Sequence, residues 1–323
     1  MGVQKPRIIF LDAGTVDFGD ISFKELEALG DFKAYHATLP SKIVQRAAGA
    51  QILIVNKCVL TRQTFESLPD LKAILVAATG VNNVDFEAAR RRSVAVMNVT
   101  GYSTESVVQH TIGLILGLAC RLIEHHKAAT HGEWSRSPFF TLGRYRVTEV
   151  AGKILGILGH GAIGSRVAEI ARALGMRVIL GKIPGRAYSR EDAKKRVSFE
   201  TLIKTADFLS IHAPLSPLTK NLIGAGVIRK MKPGSFIINV SRGGIVSEYA
   251  LRSALQSGHL GGAALDVLTE EPPPERHPLF GVPRLILTPH VAWASRETRV
   301  RLIGELAQNL QAFLIGRKRN RIV

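Results

Sequence analysis

The chain has 323 residues, 46% hydrophobic and 21% charged, which suits about two globular domains and excludes a disordered or fibrous protein. Its net charge is +17, from 43 Lys and Arg against 26 Asp and Glu, but the cations are scattered and no nucleic-acid-binding motif accompanies Arg90-Arg91-Arg92 or Arg317-Lys318-Arg319. A basic surface that attracts anionic cofactors and substrates is therefore expected, with no nucleic-acid partner.

Cys58 and Cys120 lie in apolar surroundings and match no metal spacing, so no metal site is expected and both read as thiols of a reducing compartment. Residues 1–10 carry no signal-peptide pattern. The most apolar stretch, 107–123, contains Gln109, His110, Thr111 and Arg121, which fits a buried helix better than a membrane span. A cytoplasmic protein with no membrane partner is expected.

In chain order, 7–11 (Arg-Ile-Ile-Phe-Leu) reads as a strand, 22–29 as a helix, 33–35 as a short strand and 41–48 as a helix. A buried strand follows at 51–55, then a helix opening at Thr61, a buried strand at 71–77, a helix at 85–92 and a strand at 94–98. Alternation at this spacing predicts a parallel sheet with helices on both faces. One long helix is expected from Thr104 to about Ala129, then an irregular excursion over 130–150 with Trp134, Phe139 and Phe140. Later strands are predicted at 153–158, 176–180, 208–212, 236–240, 262–266 and 285–287, with helices at 165–174, 199–204, 226–230 and 248–256. The closing amphipathic helix, 296–315, is expected to pack back on the first domain. The predicted fold is thus α/β with two domains, each a parallel sheet with helices on both faces: 1–100 with 294–323, and 101–293.

The most informative stretch runs from Lys153 to Lys182. An apolar strand leads into Gly159-His160-Gly161-Ala162-Ile163-Gly164, a helix with apolar residues at Val167, Ile170, Ala171 and Leu174, and a second strand. This is G-x-G-x-x-G at the first turn of a βαβ unit, so the second domain is expected to be a Rossmann dinucleotide-binding domain. Gly159 serves the tight turn, Gly161 the approach of a pyrophosphate, and Gly164 the packing of helix on strand. An NAD-preferring unit carries an acid about 20 residues on. Here Gly181-Lys182-Ile183-Pro184-Gly185-Arg186 stands there, with two cations and no carboxylate. Lys182 and Arg186 suit a 2′-phosphate, so NADP is the expected cofactor, with NAD the alternative.

Three later strand ends carry polar residues: Arg242 in Asn239-Val240-Ser241-Arg242-Gly243-Gly244, Glu270 and Glu271 after Asp266, and His290 in Thr288-Pro289-His290. Each alone has a structural reading. Three from successive strand ends of one nucleotide-binding sheet point to a ligand site.

With Ala77-Ala78-Thr79-Gly80-Val81-Asn82-Asn83-Val84-Asp85, the 159–164 fingerprint, Ser241–Gly244, Glu271-Pro272-Pro273 and Pro289-His290-Val291-Ala292-Trp293-Ala294-Ser295, the chain resembles the D-isomer-specific 2-hydroxyacid dehydrogenase family. It is most similar to the hydroxypyruvate reductase (glycerate dehydrogenase) branch. The resemblance implies NAD(P)H-dependent reduction of a small 2-keto acid, hydroxypyruvate or glyoxylate, to the D-2-hydroxy acid. His290 would be the general acid, Glu271 would orient it and favour the imidazolium, and Arg242 would bind the substrate carboxylate. Backbone amides of Thr79 and Gly80 would hold the carboxylate too. Thr104, Val108 and Asp266 would contact the nicotinamide, His212, Ala213 and Pro214 the adenosine side, and Val240, Ser241 and Ala292 would lie beside the cofactor. The family's domains close over the substrate, and its members imply a homodimer through 104–129 and 130–150. Two alternatives stay open: a broad-range 2-ketoacid reductase, and a dinucleotide-sensing, corepressor-like binding protein on the same fold.

Overall fold

The computed structural model describes residues 5–323. The chain forms two compact units, one made of the residues up to Ser103 together with Ala294–Val323, the other of Thr104–Trp293.

In the first unit β1 (Arg7–Phe10), α1 (Lys24–Glu27), β2 (Asp31–Ala34), α2 (Ile43–Ala47), β3 (Ile52–Val55), α3 (Arg62–Glu66), β4 (Ala73–Val76), α4 (Phe86–Arg91) and β5 (Ala95–Met97) alternate. The strands form one parallel sheet in the order β2-β1-β3-β4-β5. Every residue of β3 and β4 is buried, as parallel strands covered on both faces require. Local chemistry starts the helices. Thr61 and Thr64 form a capping box on α3, and the Asp85 carboxylate accepts the Ala88 N–H at 2.9 Å to open α4. The predicted helix over 22–29 shrinks to four residues in α1. Its end is set by Gly30, where an added Cβ would lie 2.3 Å from the Pro6 carbonyl, so the chain turns at once into β2.

The second unit opens with α5 (Thr104–Ala119) and α6 (Leu122–Thr130), not with one long helix. The two meet at a 60° bend. Arg121 is the cause: it adopts φ 53°, its guanidinium donates to the Gly261 carbonyl at 2.6 Å, and it pairs with Glu124 at 3.1 Å. No Gly or Pro announces that break. Among the described residues no single helix is long and apolar enough to cross a membrane; only the bent α5–α6 pair passes that test jointly.

Then come β6 (Ile154–Leu158), α7 (Ala162–Ala173), β7 (Arg177–Gly181), α8 (Arg190–Lys194), α9 (Phe199–Thr205), β8 (Phe208–Ile211), α10 (Ala225–Ile228), β9 (Phe236–Asn239), α11 (Glu248–Gln256), β10 (Gly262–Leu265) and β11 (Leu285–Leu287). Helix α8, capped by Ser189 on the Asp192 N–H, was not expected from the apolar pattern because it buries no residue. The parallel sheet runs β11-β10-β9-β8-β6-β7, and Val197 adds a bridge to Gly181 outside β7. The strand order reverses beside β6, which is where an open α/β sheet offers a crevice for ligands. Stacked Phe208 and Phe236 rings, 4.5 Å apart, sit in the core cluster that joins α5 to the sheet.

The last helix, α12 (Arg296–Leu314), belongs to the first unit. Ser295 caps it, and the buried Arg299 guanidinium pairs with both Asp20 oxygens at 2.5 and 2.7 Å. The Ile322 N–H donates to the Val96 carbonyl at 2.8 Å, so the C-terminal residues cover the edge of β5.

Candidate active site

The glycine-rich turn follows β6 directly. Gly159 has φ +99°, and a Cβ there would lie 2.5 Å from the Ala213 amide nitrogen. A Cβ on Gly164 would lie 2.1 Å from the Gly159 carbonyl, so the helix can sit on the strand only without a side chain here. At Gly161 the same test meets nothing within 4 Å. Gly161 is also the N-cap of α7 and no side chain caps that end, which leaves the positive pole of a 12-residue helix facing open space. A pyrophosphate fits these features: the chain supplies amides, a dipole and room, and no anion of its own. His160, Ala162 and Ile163 belong to the same turn; His160 and Ala162 are exposed.

Beyond β7, Lys182 is half-buried and Arg186 exposed. Beyond β8, Pro214 is exposed while Ala213 is buried against the turn. His212 keeps some surface, but its Nδ1 is buried without a partner while its Nε2 lies 2.8 Å from the Ser210 hydroxyl. Burial pushes the His212 imidazole down to about 4. In a protonated ring the enclosed Nδ1–H would have no acceptor, so burial governs the ring despite its partial exposure.

The three polar strand ends are neighbours because β9, β10 and β11 are neighbours. Asn239 closes β9: its Oδ1 accepts from the Ser241 amide and hydroxyl at 3.1 and 2.8 Å, and its Nδ2 donates to the Arg242 carbonyl at 2.9 Å. The Arg242 side chain is left exposed. At Gly243 a Cβ would lie 1.8 Å from the Leu268 carbonyl, so glycine lets the Arg242 turn meet the loop that carries Glu271. In that loop Glu271 Oε1 accepts the Leu268 N–H at 2.8 Å, and Oε2 lies 2.6 Å from His290 Nδ1. Glu248 braces the loop at two points, accepting the Thr269 N–H at 2.7 Å and lying 3.1 Å from the buried His277 Nε2.

His290 has φ 54°, a conformation a residue with a side chain adopts only when its surroundings enforce it. Asp266 enforces it. Its carbonyl accepts the His290 N–H at 2.8 Å, Oδ1 accepts from the Thr288 hydroxyl at 2.5 Å and the Val291 N–H at 2.9 Å, and Oδ2 accepts the Ala292 N–H at 2.9 Å. Helix α5 is fastened to the same turn through Ser106, which donates to the Ala292 carbonyl at 2.7 Å, and His110, 3.0 Å from the Thr288 hydroxyl.

Asp266, 1% exposed, holds the His290 turn with its carboxylate. Val108 is 1% exposed and packs in the core cluster with Leu155, Ile157, Val240 and Ala292. Val240 and Ala292 are buried in the same cluster. Thr104 and Ser241 keep partial exposure. Ser106, His110, Thr288, Asn239 and Glu248 were missed; only the closeness of Thr288 to His290 and of Asn239 to Arg242 signalled any of them. In the first unit, Thr79 and Gly80 follow β4, and Thr79 is fixed by its hydroxyl on the Val99 carbonyl and by Asn98 on its own carbonyl, both at 2.8 Å.

A Rossmann-type sheet with an open glycine-rich turn and a Glu–His pair at successive strand ends fits a nicotinamide-dinucleotide dehydrogenase. Residues 112–292 match the family model "D-isomer specific 2-hydroxyacid dehydrogenase, NAD binding domain". The glycerate dehydrogenase of Methylorubrum extorquens is 38% identical over 317 residues, 97% of this chain and 98% of that one. The hydroxypyruvate reductase of Blautia hydrogenotrophica is 36% identical over 96% of this chain and 97% of its own. Among solved structures, the TT0316 protein of Thermus thermophilus superposes with a TM-score of 0.85 at 33% identity, covering 98% of this chain and 100% of that one. An acyclic imino acid reductase in complex with NADPH and D-Arg gives 0.84 at 26% identity, over 98% and 100%. The chain belongs to the D-isomer-specific 2-hydroxyacid dehydrogenase family. It is an enzyme that interconverts 2-keto acids and D-2-hydroxy acids with a nicotinamide dinucleotide.

Proposed function

We propose that the enzyme reduces hydroxypyruvate or glyoxylate to D-glycerate or glycolate, with NADPH preferred over NADH and His290 as proton donor. The observation that carries this reading is the 2.6 Å contact of His290 Nδ1 with Glu271, whose other oxygen is held by the Leu268 amide. The contact commits Nδ1–H to the carboxylate, fixes the orientation of the ring and leaves Nε2 to give a proton to a substrate carbonyl oxygen. A nicotinamide dinucleotide held at the 159–164 turn would supply the hydride for the carbonyl carbon. Arg242, with its backbone locked and its exposed guanidinium donating to the Ser241 carbonyl at 2.8 Å, binds the α-carboxylate with its planar fork. The amides of Thr79 and Gly80 are assigned as further donors to that carboxylate. Substrate choice follows the glycerate dehydrogenase and hydroxypyruvate reductase relatives, and the Lys182–Arg186 loop, without a carboxylate, supports NADPH.

The test is initial-rate reduction of hydroxypyruvate and glyoxylate with each cofactor. Efficient turnover with NADPH preferred is expected, and His290→Ala is expected to lose about 10²- to 10⁴-fold in kcat while still binding cofactor. Near-normal turnover by that variant would remove His290 from the role. Faster turnover of bulkier 2-keto acids would favour a broad-range reductase.

A homodimer is proposed as well. Trp134, Phe139 and Phe140 stand 55%, 72% and 91% exposed, and Leu122 and Ile123 on α6 are exposed too, an apolar surface that a second copy of the chain would cover. Light scattering of wild type and Phe139→Ser/Phe140→Ser decides it, the double variant being expected to run as a monomer. The free thiols Cys58 and Cys120 accord with a cytoplasmic setting.

A further inference from the structure

We propose that Arg196, carried against Tyr188, is a ligand for the cofactor's 2′-phosphate and shares with Lys182 the discrimination of NADPH from NADH. The inference rests on the NADPH reading above and names a residue outside the 182–186 loop.

Arg196 is brought to the end of β7 by the bridge outside that strand. The Val197 N–H donates to the Leu180 carbonyl at 2.8 Å, and the Lys182 N–H donates to the Val197 carbonyl at 3.0 Å. Arg196 therefore stands beside the strand end at which a Rossmann unit meets the adenosine ribose. Tyr188 organises the place. Its ring lies 5.1 Å from the Arg196 guanidinium and 5.5 Å from that of Arg186, and its hydroxyl accepts the Ile183 N–H at 2.8 Å. One ring thus positions two guanidiniums and pins the loop that bears Lys182.

No ion pair neutralises this cationic group. Among the described residues none joins Lys182, Arg186 or Arg196 to a carboxylate, although ten other Arg and Lys side chains make such pairs. Arg196 Nε is buried with no hydrogen-bond partner. A buried donor left unmade is costly, and an anion that accepts it removes the cost. The Arg196 charge also reaches the glycine-rich turn: although His160 keeps an exposed face, its imidazole is held below the ordinary histidine value first by partial desolvation and next by Arg196 and Arg172, with Asp192 acting the other way. A planar fork on a ring, beside a lysine and short of one acceptor, fits a phosphate monoester better than a diol.

The experiment is calorimetric titration of the full-length protein with 2′,5′-ADP and 5′-AMP, which differ only in the 2′-phosphate. Wild type is expected to bind 2′,5′-ADP more tightly. Arg196→Gln should weaken 2′,5′-ADP by about 10- to 100-fold and 5′-AMP by less than about 2-fold, the loss of a charge-assisted contact. Arg196→Lys, which keeps the charge and loses the fork, should recover part of the difference and serves if the glutamine variant does not fold. Tyr188→Leu, with Arg196 intact, should narrow the ratio between the probes without shifting Tm by more than a few degrees. A wild-type protein that binds 5′-AMP as tightly as 2′,5′-ADP overturns the NADPH reading and this inference together. Wild-type preference that survives intact in Arg196→Gln, or equal weakening of both probes, overturns this inference alone.

Discussion

The two sheets treat the same topological place in opposite ways. In the first unit β1 is flanked by β2 and β3; in the second, β6 is flanked by β7 and β8. Each pair of flanking strands leaves a crevice at the carboxyl ends. After β1 the chain fills that crevice itself. Asp12 accepts the Asn56 N–H at 2.8 Å on one oxygen, and those of Lys57 and Cys58 at 2.6 and 2.8 Å on the other. After β6 there is no acid; glycines bring backbone against backbone and α7 starts uncapped. One sheet answers the amides at its strand end with its own carboxylate, and the other leaves them for an anion from solution. Ligand binding here depends on which partner supplies the negative charge, not on the sheet.

Asp12→Ala breaks the first half of that comparison and should have the largest effect on stability. It strands three amides in largely buried surroundings, each costing about 1–3 kcal/mol when unmade, so a loss of about 3 kcal/mol or more is expected from urea unfolding. Affinity of the folded protein for NADPH should not change. A loss under about 1 kcal/mol would mean that water replaces the carboxylate, and the two crevices would then differ less than their contacts indicate.

The second half is sharpened by two glycines three residues apart. Gly164→Ala drives a methyl group to 2.1 Å from a backbone carbonyl and should destabilise the protein by about 1–3 kcal/mol, the range for overpacking. Gly161→Ala meets nothing within 4 Å, so its thermal midpoint should stay at the wild-type value while dinucleotide affinity falls about tenfold or more. Equal effects of both changes on stability would show that Gly161 serves the fold and not the ligand.

Much of this was legible in the sequence, for identifiable reasons. The glycine-rich turn could be read because its residues are constrained locally, by a strand, a turn and a helix within thirty positions. Arg242, Glu271 and His290 could be read because each lies at a strand end in a mostly parallel pattern. The residues that hold them could not. Asp266 acts on a turn more than twenty residues away, Glu248 reaches Thr269, and Ser106 and His110 fasten a helix to residues 288–292. None of these pairs has a fixed spacing, so only the folded register shows them. The break at Arg121 escaped for a related reason: its left-handed turn is held by the distant Gly261 carbonyl and not by a local Gly or Pro.

Acid should separate the two crevices as well. His212, beside the open turn, has its imidazole pushed from 6.5 down to about 4 by burial, so the unfolded chain takes up a proton in this window and the folded chain does not. The neutral ring contributes no pH dependence above about 6.5; stability is lost as pH falls from there toward about 4, by at most about 3 kcal/mol. The urea midpoint of wild type should therefore drop between neutral and mildly acidic buffer, and that of His212→Phe should drop less. The same acid loss in both proteins would assign it to other groups.

The smallest effect is expected at Cys58, on the filled side. Burial first, and the neighbouring Asp12 carboxylate next, push its thiol up to about 12, so almost no thiolate exists at pH 8. Iodoacetamide should leave Cys58 unmodified in the native protein, as read by peptide mass spectrometry, and modify it readily in urea. Because burial ranks above the carboxylate, Asp12→Ala should raise native labelling only modestly. A large rise would instead mean that Asp12 keeps the crevice shut as well as neutralising its amides, which would make the carboxylate a structural plug and deepen the contrast with the open turn after β6.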